Sequence, residues 1–143
     1  MNPEKLNRLA RLTADSGLEE KASQLSRTFA ENVRRFPAAF TQLMLSIDFA
    51  LGPSYEIVIA GDLESKSTVE MLQALHREFI PNAVVMQIPP EPHTSGIREL
   101  IPFLKEMPGM PGQTVVYVCR NHQCKLPTND IHHMLKLLHS SQS

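Results

Sequence analysis

Apolar residues follow two different periods along this chain, and the change falls at Gly52-Pro53. Before it the spacing is helical. Leu6, Leu9 and Thr13 mark a short first helix ending at Asp15-Ser16-Gly17, where Gly17 suits a left-handed C′ position. Leu18, Ala22, Leu25, Phe29, Val33 and Phe36 recur at steps of four and three, which predicts a second helix with one apolar stripe. Pro37 closes it and serves as the first-turn proline of a third. That third helix carries Phe40, Leu43, Met44, Ile47 and Leu51 on one side, with Leu45 and Phe49 on the other. Apolar on two sides, it wants two partners. Either the following sheet and its loops cover Leu45 and Phe49, or these side chains face protein outside this chain.

After Gly52-Pro53 the pattern turns β-branched and continuous. Glu56-Ile57-Val58-Ile59-Ala60 is a short run of the kind covered on both faces of a sheet. Ala83-Val84-Val85-Met86-Gln87-Ile88 and Thr114-Val115-Val116-Tyr117-Val118-Cys119 repeat it. Helical stretches alternate with these runs. The first opens on Ser67-Thr68-Val69-Glu70, read as a capping box, and continues through Leu72, Leu75 and Phe79. The second spans Ile97 to Met107, where Pro102 must kink it or start it afresh. The third reads Ile131, Met134, Leu135, Leu138, with Thr128 or Asn129 as N-cap.

The expected architecture is α/β: a small three-stranded parallel, Rossmann-like sheet with flanking helices, preceded by about three helices. The division is residues 1–53, helical, and 54–143, the three-stranded module. Pro89-Pro90-Glu91-Pro92-His93 reads as a stiff connector and Met107-Pro108-Gly109-Met110-Pro111-Gly112 as a looser one.

Composition narrows the classes. The 143 residues carry 14 Lys and Arg against 15 Asp and Glu. Neither half is basic, with seven cations against six anions up to Pro53 and seven against nine afterwards. This leaves nucleic acid without its electrostatic footprint. No apolar run reaches the ~18 residues of a membrane span, and Met-Asn-Pro-Glu-Lys lacks a signal peptide's hydrophobic stretch. With only two cysteines, a reducing, cytoplasmic setting is expected.

Candidate chemistry sits at strand ends. The exit of the first strand, Ala60-Gly61-Asp62-Leu63-Glu64-Ser65, is where a nucleotide would bind an open α/β sheet. One glycine followed by two carboxylates makes a poor phosphate cradle, so Gly61 reads as a turn residue. The exit of the third strand is Cys119-Arg120-Asn121-His122-Gln123-Cys124. Three readings stay open there: two structural cysteines, a disulfide or redox pair across a turn, or half of a metal site with His122, His132 or His133. Arg120 and Lys125 favour a thiolate nearby. The remaining histidines read as surface residues, and no nucleophile–base–acid set can be nominated as catalytic. No cofactor is expected.

The order Ile57-Val58-Ile59-Ala60-Gly61-Asp62, Phe79-Ile80-Pro81-Asn82-Ala83-Val84, Pro102-Phe103-Leu104 and Val116-Tyr117-Val118-Cys119-x4-Cys124-Lys125-Leu126-Pro127 resembles the extreme C-terminus of a known family. This is the thioredoxin-domain-containing family that includes spermatogenesis-associated protein 20. Leu9-Ala10-Arg11-Leu12-Thr13 and Pro37-Ala38-Ala39-Phe40 resemble the helices just upstream. The resemblance implies a parent with a thioredoxin-like N-terminal domain and a six-hairpin α/α toroid related to glycosidases and epimerases. The first three helices would then be the end of that toroid, which would account for the two-sided third helix. It carries over no catalytic residue. Only Cys119 and Cys124 transfer by motif.

The expected function is a non-catalytic C-terminal structural module of such a protein, whose partner is the rest of the parent or a second copy. The alternatives are a thiol/disulfide or metal-binding module using Cys119, Cys124 and His122, and a sugar- or nucleotide-binding appendage.

Overall fold

The computed structural model describes residues 2–90, 93 and 95–140. Glu91 and Pro92 of the proline-rich connector lie outside the described residues. The helical segment comprises α1 (Pro3–Thr13), α2 (Ser16–Thr28), α3 (Ala30–Arg35) and α4 (Thr41–Leu51), with a 3-10 turn at Pro37–Phe40. Asn2 caps α1, accepting from the Lys5 N–H. The left-handed residue that ends α1 is Ala14, φ 55°, and not Gly17. Asp15 must be extended to cap α2, where it accepts from Gly17 and Leu18, so the reversal is complete one residue earlier.

The second predicted helix is two helices. It breaks at Phe29, whose ψ is 1°. The hydroxyls of Ser26 and Thr28 bond back to the carbonyls of Ala22 and Gln24, a pattern that bends helices, and the Phe29 ring meets Phe40. Fully buried Ala10 and Ala22 belong to α1 and α2, which pack together. Asn7 is also buried, donating to the carbonyl and hydroxyl of Ser46 on α4. The two-sided α4 is half covered by this chain: Phe49 is 1% exposed, whereas Leu45 is 55% exposed.

The second segment comprises β1 (Tyr55–Ala60), α5 (Lys66–His76), β2 (Ala83–Ile88), α6 (Ser95–Leu100), a 3-10 turn at Pro102–Glu106, β3 (Val115–Arg120), β4 (Gln123–Cys124) and α7 (Ile131–His139). The N-caps are Ser65 and Asp130; the expected cap Ser67 lies inside the first turn of α5, and Thr128 and Asn129 precede the cap of α7. Phe79 lies beyond the end of α5 and is 91% exposed.

The sheet has four strands in the order β2-β1-β3-β4 and is mixed, not three-stranded and parallel. β1 and β2 are parallel, while β3 runs antiparallel to β1 and β4 to β3. The reversal has a physical cause in the connection to β3. A six-residue helix advances only ~9 Å, less than half of the ~20 Å of a six-residue strand. α6 ends at Leu100, and after the turn at Pro102–Glu106 the chain enters β3 at the end where β1 exits, Val115 beside Ala60. Apolar periodicity carries no strand direction.

Two cores follow from the alternation of β1. Tyr55, Ile57 and Ile59 pack with α5 and α7 through Met71, Leu75, Met134 and Leu138. Val58 and Ala60 pack on the opposite face with Tyr117, Cys119, Ile101, Leu104 and Met107. Arg8 joins the helices to the sheet. Its guanidinium lies 4.9 Å over the Phe49 ring and donates to the carbonyls of Ala83 and Pro81 at 2.9 and 3.0 Å.

Candidate functional site

The β3–β4 hairpin concentrates the chemistry. Arg120 pairs with Gln123 around a two-residue loop, Asn121-His122. Both loop residues have positive φ, 49° and 62°, as a right-twisted hairpin turn demands. Asparagine and histidine are among the non-glycine residues that adopt this conformation most often. Three contacts hold the tip. The Asn121 N–H donates to the Ser54 carbonyl. The His122 N–H donates to Glu56 Oε2 at 2.9 Å. His122 Nε2 lies 2.9 Å from the Arg11 carbonyl of α1; a carbonyl only accepts, so this nitrogen carries the proton. The imidazole also meets the Phe103 ring edge-on.

Cys119 and Cys124 face each other across this hairpin and form a disulfide, their Cα atoms 3.8 Å apart. The two halves differ in environment. Cys119 is fully buried, while Cys124 sits on the exposed outer strand. Cys124 lies between two clefts. One, of about 510 Å³, is polar and includes Arg120, Gln123 and Lys125. The other, of about 480 Å³, includes Phe103, Tyr117, Leu126 and Pro127. Tyr117 donates to the Pro108 carbonyl at 2.8 Å, and burial pushes its phenol above the usual tyrosine range.

Glu56 is the residue that sequence reasoning missed. At 1% exposure it is a buried carboxylate, and it is the register partner of Cys119. The Ser54 hydroxyl lies between its Oε1 and Asn121 Oδ1, at 3.4 and 3.3 Å. The available signal was a lone acid inside an otherwise apolar strand.

The other candidates are placed as follows. Among the described residues no three His, Cys, Asp or Glu gather as metal ligands. His132 and His133 lie exposed on α7, and His139 pairs with Glu78 at 3.0 Å. At the β1 exit, a Cβ on Gly61 would lie 2.7 Å from Thr114 Oγ1 and 2.9 Å from its Cα. Thr114 Oγ1 is bonded in turn to the hydroxyls of Ser65, Ser67 and Thr68. That exit is filled by the chain's own atoms. No helix among the described residues is long and apolar enough to cross a membrane.

The chain is similar to spermatogenesis-associated protein 20. It is 32% identical to the Homo sapiens and Rattus norvegicus proteins and 31% identical to that of Mus musculus, over 134 residues and 94% of its length. It spans 17% of the length of these relatives, so it is homologous to one stretch of them. No family model and no solved structure matches.

Proposed function

We propose that this chain is a thiol/disulfide module of a larger protein in the thioredoxin-domain-containing family, with Cys119 and Cys124 as its reversible pair. The asymmetry of the disulfide supports this reading: one sulfur residue is exposed and the other is buried. A thiolate from a thioredoxin-type dithiol attacks Cys124 Sγ, the Cys119–Cys124 bond breaks, and Cys119 leaves with the electron pair. The second thiol of the donor then attacks the mixed disulfide and releases Cys124, so the chain gains two electrons and two protons while the donor becomes a disulfide. In a reducing compartment, where we place this protein, disulfides are characteristically transient and regulatory.

Single-cysteine variants test the asymmetry. With glutathione disulfide as oxidant, C119S gains one glutathionyl group at Cys124, and C124S stays unmodified at Cys119. Modification of Cys119 alone, or of neither thiol, would overturn the reading.

A structural role in the parent has its own support in α4. Leu45, Met44 and Leu51 are exposed large apolar side chains on this one helix, and we propose that the remainder of the parent, its toroid, covers them. L45D would then leave this chain's stability unchanged and lower that of the full-length protein. Equal stability of both full-length forms would count against it.

A further inference from the structure

The buried cysteine of the disulfide has a buried acid as its register partner across the β1–β3 pair. Glu56 and Cys119 are directly opposite residues of the β1–β3 pair. Directly opposite residues project to the same face with Cβ atoms ~4.5–5.5 Å apart. Both are sealed from water, at 1% and 0% exposure. The carboxylate is held by the His122 N–H and the Ser54 hydroxyl. The imidazole of His122 is turned to the Arg11 carbonyl, so the hairpin tip presents to Glu56 a backbone N–H. The other β1 side chains on this face, Val58 and Ala60, are apolar, so Glu56 is the one acid that β1 turns toward Cys119.

We propose that Glu56 is the proton acceptor for Cys119 when the disulfide closes; this rests on the thiol/disulfide reading above. Two anions side by side in a buried site are costly, so a Cys119 thiolate cannot form beside an ionised Glu56 without its proton moving there. In the closing step Cys124 carries a mixed disulfide with a thiol R–SH. The Cys119 proton passes to Glu56 and the Cys119 sulfur attacks Cys124 Sγ. The Cys119–Cys124 bond forms, the Cys124–S–R bond breaks, and R–S⁻ leaves with its electron pair. The proton ends on the departing thiolate, which leaves as R–SH, and Glu56 returns to its starting form. In the opening direction protonated Glu56 returns a proton to Cys119 as it is expelled, as microscopic reversibility requires.

The test uses the full chain, reduced and mixed with glutathione disulfide. Acid quenching at intervals separates, by mass, the reduced, singly glutathionylated and closed forms. Glu56→Gln keeps the shape and removes the acceptor, so the glutathionylated form accumulates and closure slows ~10²-fold, the usual scale of a lost general base. Its rate then rises with pH where the wild-type rate has levelled, a change that loss of packing alone would not produce, and Glu56→Asp restores part of the rate. Should Glu56→Gln not fold, the wild-type closing rate is compared in water and deuterium oxide. Slower closure in deuterium oxide supports a proton in flight, and equal rates overturn it. Closure of Glu56→Gln at the wild-type rate, with the wild-type pH profile, overturns the role of Glu56 alone. Failure of the wild-type chain to react with glutathione disulfide overturns the thiol/disulfide reading and this inference together.

Discussion

The backbone N–H of His122 donates to Glu56 Oε2 at 2.9 Å, tying the tip of an exposed hairpin to a buried carboxylate on the central strand. The same residue reaches α1 through its imidazole. The disulfide hairpin is thereby fixed to both the sheet and the helices.

Removing the disulfide with C119A/C124A should lower stability by about 2 kcal/mol, the loop-closure value for so short a ring. Urea unfolding under oxidising conditions measures it, and the wild-type chain treated with reductant should fall toward the variant. Equal midpoints for wild type and variant would mean that the bridge does not form.

Arg8→Ala removes a cation over Phe49 and two charge-assisted bonds to carbonyls, with an expected loss of about 2–4 kcal/mol. Arg8→Lys should recover less than half, because an ammonium cannot fork between the Pro81 and Ala83 carbonyls. Urea midpoints of the two variants report the difference. A full recovery by lysine would reduce Arg8 to a simple charge.

Gly61→Ala drives a methyl into Thr114 Oγ1 and Cα. Overpacking of this kind costs about 1–3 kcal/mol. Thr114→Ala clears only the hydroxyl, so the double variant should recover part of the loss. Thermal unfolding of the single and double variants measures this; an unchanged melting temperature in Gly61→Ala would show that the turn yields freely.

Two titrations shape the pH dependence. Burial raises the Tyr117 phenol above its usual value of 10.0, so the unfolded chain loses that proton first. Its contribution is complete below pH 10 and is lost as pH rises through the folded value. The Gln42 hydrogen bond, helped by Arg8, lowers the Glu4 carboxyl below 4.5 despite its burial. Its contribution is present above that pH and is lost as pH falls through the folded value. Urea midpoints across pH should therefore decline at both ends. Tyr117→Phe should flatten the alkaline limb and Glu4→Gln the acid one; limbs unchanged by these variants would assign the declines elsewhere.

Much of the architecture was legible because burial writes itself into spacing. β2 spans Ala83–Ile88 as its continuous apolar run implied, and the Met134–Leu138 stripe of α7 faces the core. Direction was not legible. A buried strand reads as the same apolar run whether it is parallel or antiparallel. β4 was silent, because Gln123 and Cys124 are both exposed and no period covers two residues. Cys119 and Cys124 were legible as a pair but not as a bond, since their approach depends on positive φ at Asn121 and His122. Glu56 was hidden among Ile57, Val58 and Ile59 because a strand pattern registers burial and not what a buried carboxylate opposes.

The most direct test of the central claim is the thiol state of the chain equilibrated across glutathione redox buffers and then alkylated. The account predicts a single two-electron transition from no alkylated cysteine to two, at a potential above about −300 mV, where disulfides become exchangeable. A bridge that stays closed under every such buffer, or two thiols that stay free, would contradict it.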